Sequence, residues 1–118
     1  MKYIDGFVLA IPKKKVAAYR KMAARAGKLW MKYGALEYIE AVADDLNPKG
    51  VVLKFPKMVK AKPSETVCFS YIVYRSRKHR DAVNKKVMKD PAMKEEPKDM
   101  PFDMKRMAYG GFKAIVEE

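Results

Sequence analysis

The chain has 118 residues, 49% of them hydrophobic and 34% charged, which suits one domain around one core and sets disorder aside. Its 26 Lys and Arg against 14 Asp and Glu give a formal charge of +12; that balance fits either a nucleic-acid binder or a solvated basic surface, and no recognised RNA or DNA motif accompanies it. A single cysteine, Cys68, excludes an internal disulfide and a cysteine zinc cage, and no apolar run nears the ~20 residues of a membrane span, so the expectation is a cytoplasmic protein with no membrane partner.

Residues 2–11 are rich in β-formers and stop at Pro12, where a strand ends and a helix can begin. From Lys13 the period changes: Val16, Tyr19, Ala23, Ala26, Trp30 and Tyr33 recur at spacings of three and four until Gly34 supplies a left-handed stop, which predicts a long first helix. Residues 35–46 could extend a helix on propensity, but Gly34 breaks it, and they read as a second strand. Residues 47–65 hold three prolines, a glycine and five lysines. They read as a connection with a short helical turn after Pro56.

Thr66–Arg75 is the clearest strand. Ser76 is a good N-cap for a second helix running to about Lys89, with Val83 and Val87 inward and Arg77, Lys78, Lys85 and Lys89 outward. Residues 90–105 hold three prolines and no sustained period, and a last strand runs from Arg106 to about Val116. The order β-α-β-β-α-β over residues 1–118 predicts a single α+β domain of the ferredoxin-like kind, an antiparallel four-stranded sheet with two helices on one face.

Alternation along each strand gives two sets of side chains. One is small: Gly6, Val8 and Ala10; Ile39, Ala41 and Ala43; Cys68, Ser70 and Ile72; Ala108, Gly110 and Ala114. Small residues let helices approach closely, so this set is expected beneath the helices. The other is bulky: Tyr3, Asp5, Phe7 and Leu9; Leu36, Tyr38, Glu40 and Val42; Phe69, Tyr71 and Val73; Met107, Tyr109 and Lys113. Left bare, that set would be a large apolar patch, so it is expected to face a second copy of the sheet across an enclosed space.

The segments Tyr3-Ile-Asp-Gly-Phe7, Gly34-Ala-Leu-Glu-Tyr38, Val42-Ala-Asp-Asp45, Phe69-Ser-Tyr-Ile-Val-Tyr-Arg-Ser76, His79-Arg-Asp81, Met100-Pro-Phe-Asp103 and Tyr109-Gly-Gly-Phe112 resemble the YbaA-like proteins in the family's own order across essentially the whole chain. That family is similar to the dimeric α/β-barrel superfamily, so the resemblance implies a homodimer whose two ferredoxin-like sheets close a barrel around a cavity. The wider superfamily includes cofactor-free monooxygenases, heme-degrading enzymes, stress-induced dimers and transcription-factor ligand domains, and fold alone does not choose among them. The YbaA-like proteins are a family of unknown function and supply no catalytic residues to carry over.

Asp5 and Glu40 are the acids on the bulky set; inside a cavity, desolvation would raise their pKa values and make one a general acid or base, whereas at a barrel end each would be ion-paired to Lys113, Arg75 or Arg106. Tyr3, Phe7, Tyr38, Phe69, Tyr71 and Tyr109, with Asp5 and Glu40, would line a site for a small aromatic or cationic ligand, or simply pack a dimer. His79, the one histidine, reads as a core or capping residue rather than a base. One histidine and one cysteine are too few to build a first-row metal site, and heme chemistry lacks a histidine on the strands, so no cofactor is expected. No serine sits in a Gly-x-Ser-x-Gly turn, and Gly110-Gly111 lies within a strand rather than a phosphate loop. Met100–Asp103 reads as a lid or a structural cover, and Lys13, Lys14 and Lys15 crowd a helix start where the macrodipole disfavours cations. Three functions follow: a dimer binding a small molecule, a cofactor-independent enzyme using Asp5 or Glu40, and a basic RNA-associated protein.

Overall fold

A computed structural model describes residues 1–94 and 100–118. The strand β1 (Tyr3–Pro12) leads through a 3-10 turn at Lys13–Lys15 into α1 (Val16–Lys32). β2 (Glu37–Val42), the short α2 (Phe55–Met58), β3 (Glu65–Tyr74), α3 (Arg77–Lys89) and β4 (Ala108–Lys113) follow. All four strands belong to one antiparallel sheet in the order β2-β3-β1-β4. Part of the stretch read above as an irregular 90–105 connection, residues 95–99, lies outside the described residues.

Local chemistry sets the boundaries. Gly34 takes φ of +108°, a conformation that a side chain disfavours, and so ends α1. The Ser76 hydroxyl accepts the His79 backbone N–H at 3.1 Å and starts α3. β2 and β4 are shorter than their sequence spans of 35–46 and 106–116 because each is an edge strand, paired on one side only.

α1 and α3 pack side by side on one face of the sheet. Their inward residues Leu29, Val83 and Val87 bury against Tyr3, Ile72 and Tyr74, and Tyr19 and Ala23 bury against Leu9, Ile11 and Cys68. Overall extents of 40 × 38 × 20 Å describe a slab two layers thick.

The expected division of the sheet is corrected by this packing. Register puts Phe7 opposite Ser70, Asp5 opposite Ile72 and Glu40 opposite Ser70, so the bulky sets of β1 and β2 share a face with the small set of β3. Tyr3, Asp5, Phe7, Leu9, Tyr38, Glu40 and Tyr109 therefore lie on the helix side, while Phe69 and Tyr71 lie on the other. The physical reason is volume matching: α1 presents Ala23 and Gly27 inward, so the sheet supplies the bulk. The opposite face carries Ile4, Gly6, Val8 and Ala10 with Ile39, Phe69, Tyr71 and Phe112. One end of it is covered by Val59, Leu46 and Ala61 from the 43–65 connection. Phe69 sits beside this cover, its ring centroid 6.3 Å from that of Phe55, and is still 46% exposed, while Phe112 on β4 is 61% exposed.

Candidate functional site

α1 and β2 diverge enough to leave a groove of about 790 Å³ between them. Its helix wall includes Val16, Tyr19, Ala23, Gly27 and Met31 with the cations Arg20 and Lys28, and its strand wall includes Tyr38, Glu40 and Val42, with Cys68 of β3 also lining it. Gly27 makes the approach of the two elements possible at all: a Cβ there would sit 2.9 Å from the Tyr38 ring.

Glu40 stands at the centre of this groove. The Tyr19 hydroxyl donates to its Oε1 at 2.6 Å, the Tyr38 hydroxyl to its Oε2 at 2.7 Å, and the Cys68 thiol to Oε1 at 3.5 Å. All three donors are uncharged, and a carboxylate offers about four lone-pair sites, so these bonds leave acceptor capacity for about one more donor. Burial and the bond to Glu40 hold the Tyr19 hydroxyl far above its ordinary pKa, and burial with the Glu40 charge does the same to Tyr38. Both phenols therefore remain protonated donors. Burial also pushes the Cys68 thiol up to about 12, which removes it as a nucleophile at neutral pH.

Asp5 belongs to a separate, closed cluster. It is 1% exposed, and the Arg80 guanidinium reaches its Oδ1 at 2.7 Å. The same Arg80 donates to the Tyr109 hydroxyl at 3.1 Å, to Asp81 at 2.8 Å, and lies 4.9 Å over the Tyr3 ring. Burial raises the pKa of Asp5 and the Arg80 charge opposes that rise. The ion-pair partners expected for Asp5 were Lys113, Arg75 or Arg106; its partner is Arg80. Arg106 instead forks onto both Glu65 oxygens at 2.7 Å, holding the Glu65 carboxyl at about 2, and bonds Asp103 at 3.1 Å.

The eight residues expected to line one site are thus divided three ways. Tyr38 and Glu40 meet in the groove; Tyr3, Asp5 and Tyr109 meet around Arg80, with Phe7 stacked on Tyr109 at 4.8 Å; Phe69 and Tyr71 pack on each other across the sheet, ring centroids 6.3 Å apart. Phe102 of the Met100–Asp103 segment sets its edge against the Tyr19 ring at 5.7 Å, so this segment buttresses the residue that clamps Glu40. His79 caps: its Nδ1 accepts the Arg75 N–H at 2.9 Å and its ring packs on Tyr74. Among the described residues no group of three or more His, Cys, Asp and Glu is placed to hold a metal ion, and no helix is long and apolar enough to cross a membrane.

Residues 2–104 match the family described as Protein of unknown function (DUF1428). The chain belongs to this family. It is 52% identical over 118 residues to "Uncharacterized protein YbaA" of Escherichia coli strain K12, covering 100% of both chains, and equally to the protein of that name from Shigella flexneri. Among solved structures, "De novo designed protein Foldit4" overlays 97% of this chain and 99% of its own at a TM-score of 0.47 and 6% identity, a likeness too slight to carry an argument.

Family membership leaves the chemistry to be read from the residues. Tyr19 and Arg80 were not singled out as site residues in the sequence, yet both were accessible to helical spacing. Tyr19 is four residues before the inward Ala23, and Arg80 is three before the inward Val83, so each had to turn toward the sheet.

Proposed function

We propose that this family member binds a small molecule bearing an aromatic or cationic group in the groove between α1 and β2. The single observation that carries the reading is the Glu40 carboxylate, clamped by two tyrosine hydroxyls at the floor of an apolar groove. A preorganised carboxylate held only by neutral donors favours an ammonium or another hydrogen-bond donor, and the Tyr19 and Tyr38 rings offer π faces to an aromatic or cationic body. The cofactor-independent enzyme remains as a variant of this reading, with Glu40 as the proton acceptor; Asp5, sealed beneath Arg80, has no open path to a substrate.

The strand order β2-β3-β1-β4 supports reading the chain as a ferredoxin-like domain, and the exposed Ile39, Phe69 and Phe112 support pairing of two copies through this sheet face into a dimeric barrel. On this reading the ligand groove lies within one protomer, on the far side of the sheet from the pairing face.

Native mass spectrometry of freshly purified protein tests both parts, since it weighs the assembly and any retained small molecule together. For the groove, the same measurement on Glu40→Gln is expected to show the retained species lost while circular dichroism stays unchanged. Retention of the ligand by Glu40→Gln overturns the site.

A further inference from the structure

The net positive charge of the molecule is concentrated in one layer. Residues 13–32 and 77–89, the 3-10 turn with α1 and α3, hold fourteen of the 26 Lys and Arg residues and one of the 14 acidic ones. Everything else, twelve basic against thirteen acidic residues, is close to neutral. Because Tyr19, Ala23, Leu29, Val83 and Val87 take the inward sides of these helices, the charge faces away from the sheet, and twelve of the fourteen basic residues are exposed.

Spacing orders that charge. Lys21, Arg25, Lys28 and Lys32 follow one another by four, three and four residues, a straight stripe ~16 Å long on α1. Lys78, Lys85 and Lys89 make a second stripe on α3. The Trp30 indole donates to Asn84 at 3.0 Å and so ties the two helices together. Both stripes lie on the side of the helix layer turned away from the sheet. Lys32 pairs with Asp90 at 3.4 Å within the fold, yet rows of like charge repel along a helix, and Lys13, Lys14 and Lys15 oppose the α1 macrodipole with no acidic residue in the first turn.

We propose that this helix layer docks on the phosphate backbone of duplex nucleic acid. A row of regularly spaced phosphates is the partner that two rows of cations complement, and each Lys or Arg that neutralises a phosphate releases counterions. The apolar residues of the layer choose among polyanions. Its outer surface carries alanines and, as large apolar side chains, only Met31 and Met88 exposed, which gives a membrane no hydrophobic face to take up. Its aromatic residues Trp30 and Tyr33 are half-buried and hydrogen-bonded, to Asn84 and Asp90, and give single-stranded bases nothing to stack on. Contacts of this kind read the backbone and leave base sequence unread.

The test is fluorescence anisotropy of the full-length protein with labelled 25-base-pair duplex DNA and duplex RNA, titrated across roughly 25 to 200 mM salt. With about five phosphates engaged, log K is expected to fall against log salt with a slope of about −4 to −5. The triple variant Lys21→Gln, Lys85→Gln, Lys89→Gln is expected to weaken binding on the order of 10- to 100-fold at low salt and to lower the slope by about 2 to 3, with circular dichroism unchanged. An equal loss of charge on the opposite side, Lys49→Gln, Lys57→Gln, Lys62→Gln, is expected to change affinity less than about threefold. Absence of saturable duplex binding at low salt overturns the proposal. So does an equal loss in both triples, which would make net charge the cause, or tighter binding to vesicles containing phosphatidylglycerol than to either duplex.

Discussion

Two carboxylates on the helix side of one sheet meet opposite fates. Glu40 keeps neutral donors and an open side; Asp5 is sealed and balanced by a guanidinium. Removing Arg80 strands a buried charge, and Arg80→Ala is expected to cost about 3–5 kcal/mol in urea unfolding. Asp5→Asn is expected to cost less, because Arg80 retains Asp81 at 2.8 Å and an edge to solvent; the reverse order of the two variants would mean the pair is not the unit described. Gly27 argues the other site. Adding a methyl group there overpacks the Tyr38 ring at a cost of about 1–3 kcal/mol, and the helix recovers about 1 kcal/mol from losing a glycine. Gly27→Ala is therefore expected to leave stability within about 2 kcal/mol of wild type while shifting the Tyr38 ring resonances in NMR spectra, as its bond to Glu40 is displaced. Unmoved Tyr38 signals would show that the helix, not the ring, gives way.

At the scale of elements, the start of α3 concentrates several small effects. Ser76 caps it, and His79 stitches its first turn back to Arg75 at the end of β3. Ser76→Ala is expected to cost about 1 kcal/mol. Burial, with the nearby Arg75 charge, lowers the pKa of His79, so the folded state holds the neutral ring where the unfolded chain, near the ordinary 6.5, takes a proton. Stability contributed by neutral His79 is present above the unfolded value and is lost as pH falls below it toward the depressed folded value. Unfolding free energy is expected to fall between pH 7 and 5 by less than about 1.4 kcal/mol per pH unit from this group, and His79→Asn, which keeps a side-chain acceptor, is expected to flatten that slope. The element boundaries themselves were legible from local chemistry: Pro12, Gly34 and Ser76 each act within a residue or two of themselves, and a short helix does form at Phe55–Met58. The lengths of β2 and β4 were not, since an edge strand ends where its single partner ceases to pair, a fact held by β3 and β1.

The whole molecule shows why the faces of the sheet resisted reading. Size was used as the guide, with small side chains expected under helices, and it succeeded for β3 and failed for β1, β2 and β4. Packing density constrains the sum of volumes across an interface, not the volume on either side. Here Gly27 and Ala23 on α1 make room for Tyr38 and Leu9, and Phe7 lies beside Ser70. Register, which no single strand contains, decided the matter. Glu40 was open to notice as an acid on a strand, while its partners Tyr19 and Cys68 come from a helix and a strand distant in sequence. The correction also relocates the pairing face: if two copies associate through their sheets, Phe69 and Phe112 meet the partner, and Tyr3 and Tyr38 do not. A charge placed on that face at Phe112 would be desolvated in a pair without a counter-ion, so Phe112→Glu is expected to halve the mass seen in sedimentation equilibrium. Because Phe112 is 61% exposed within one protomer, the variant chain is expected to keep its helix signal and its Glu40 groove. A wild-type protein that sediments as a monomer, or a Phe112→Glu variant that stays paired, would leave the bare face to some other role.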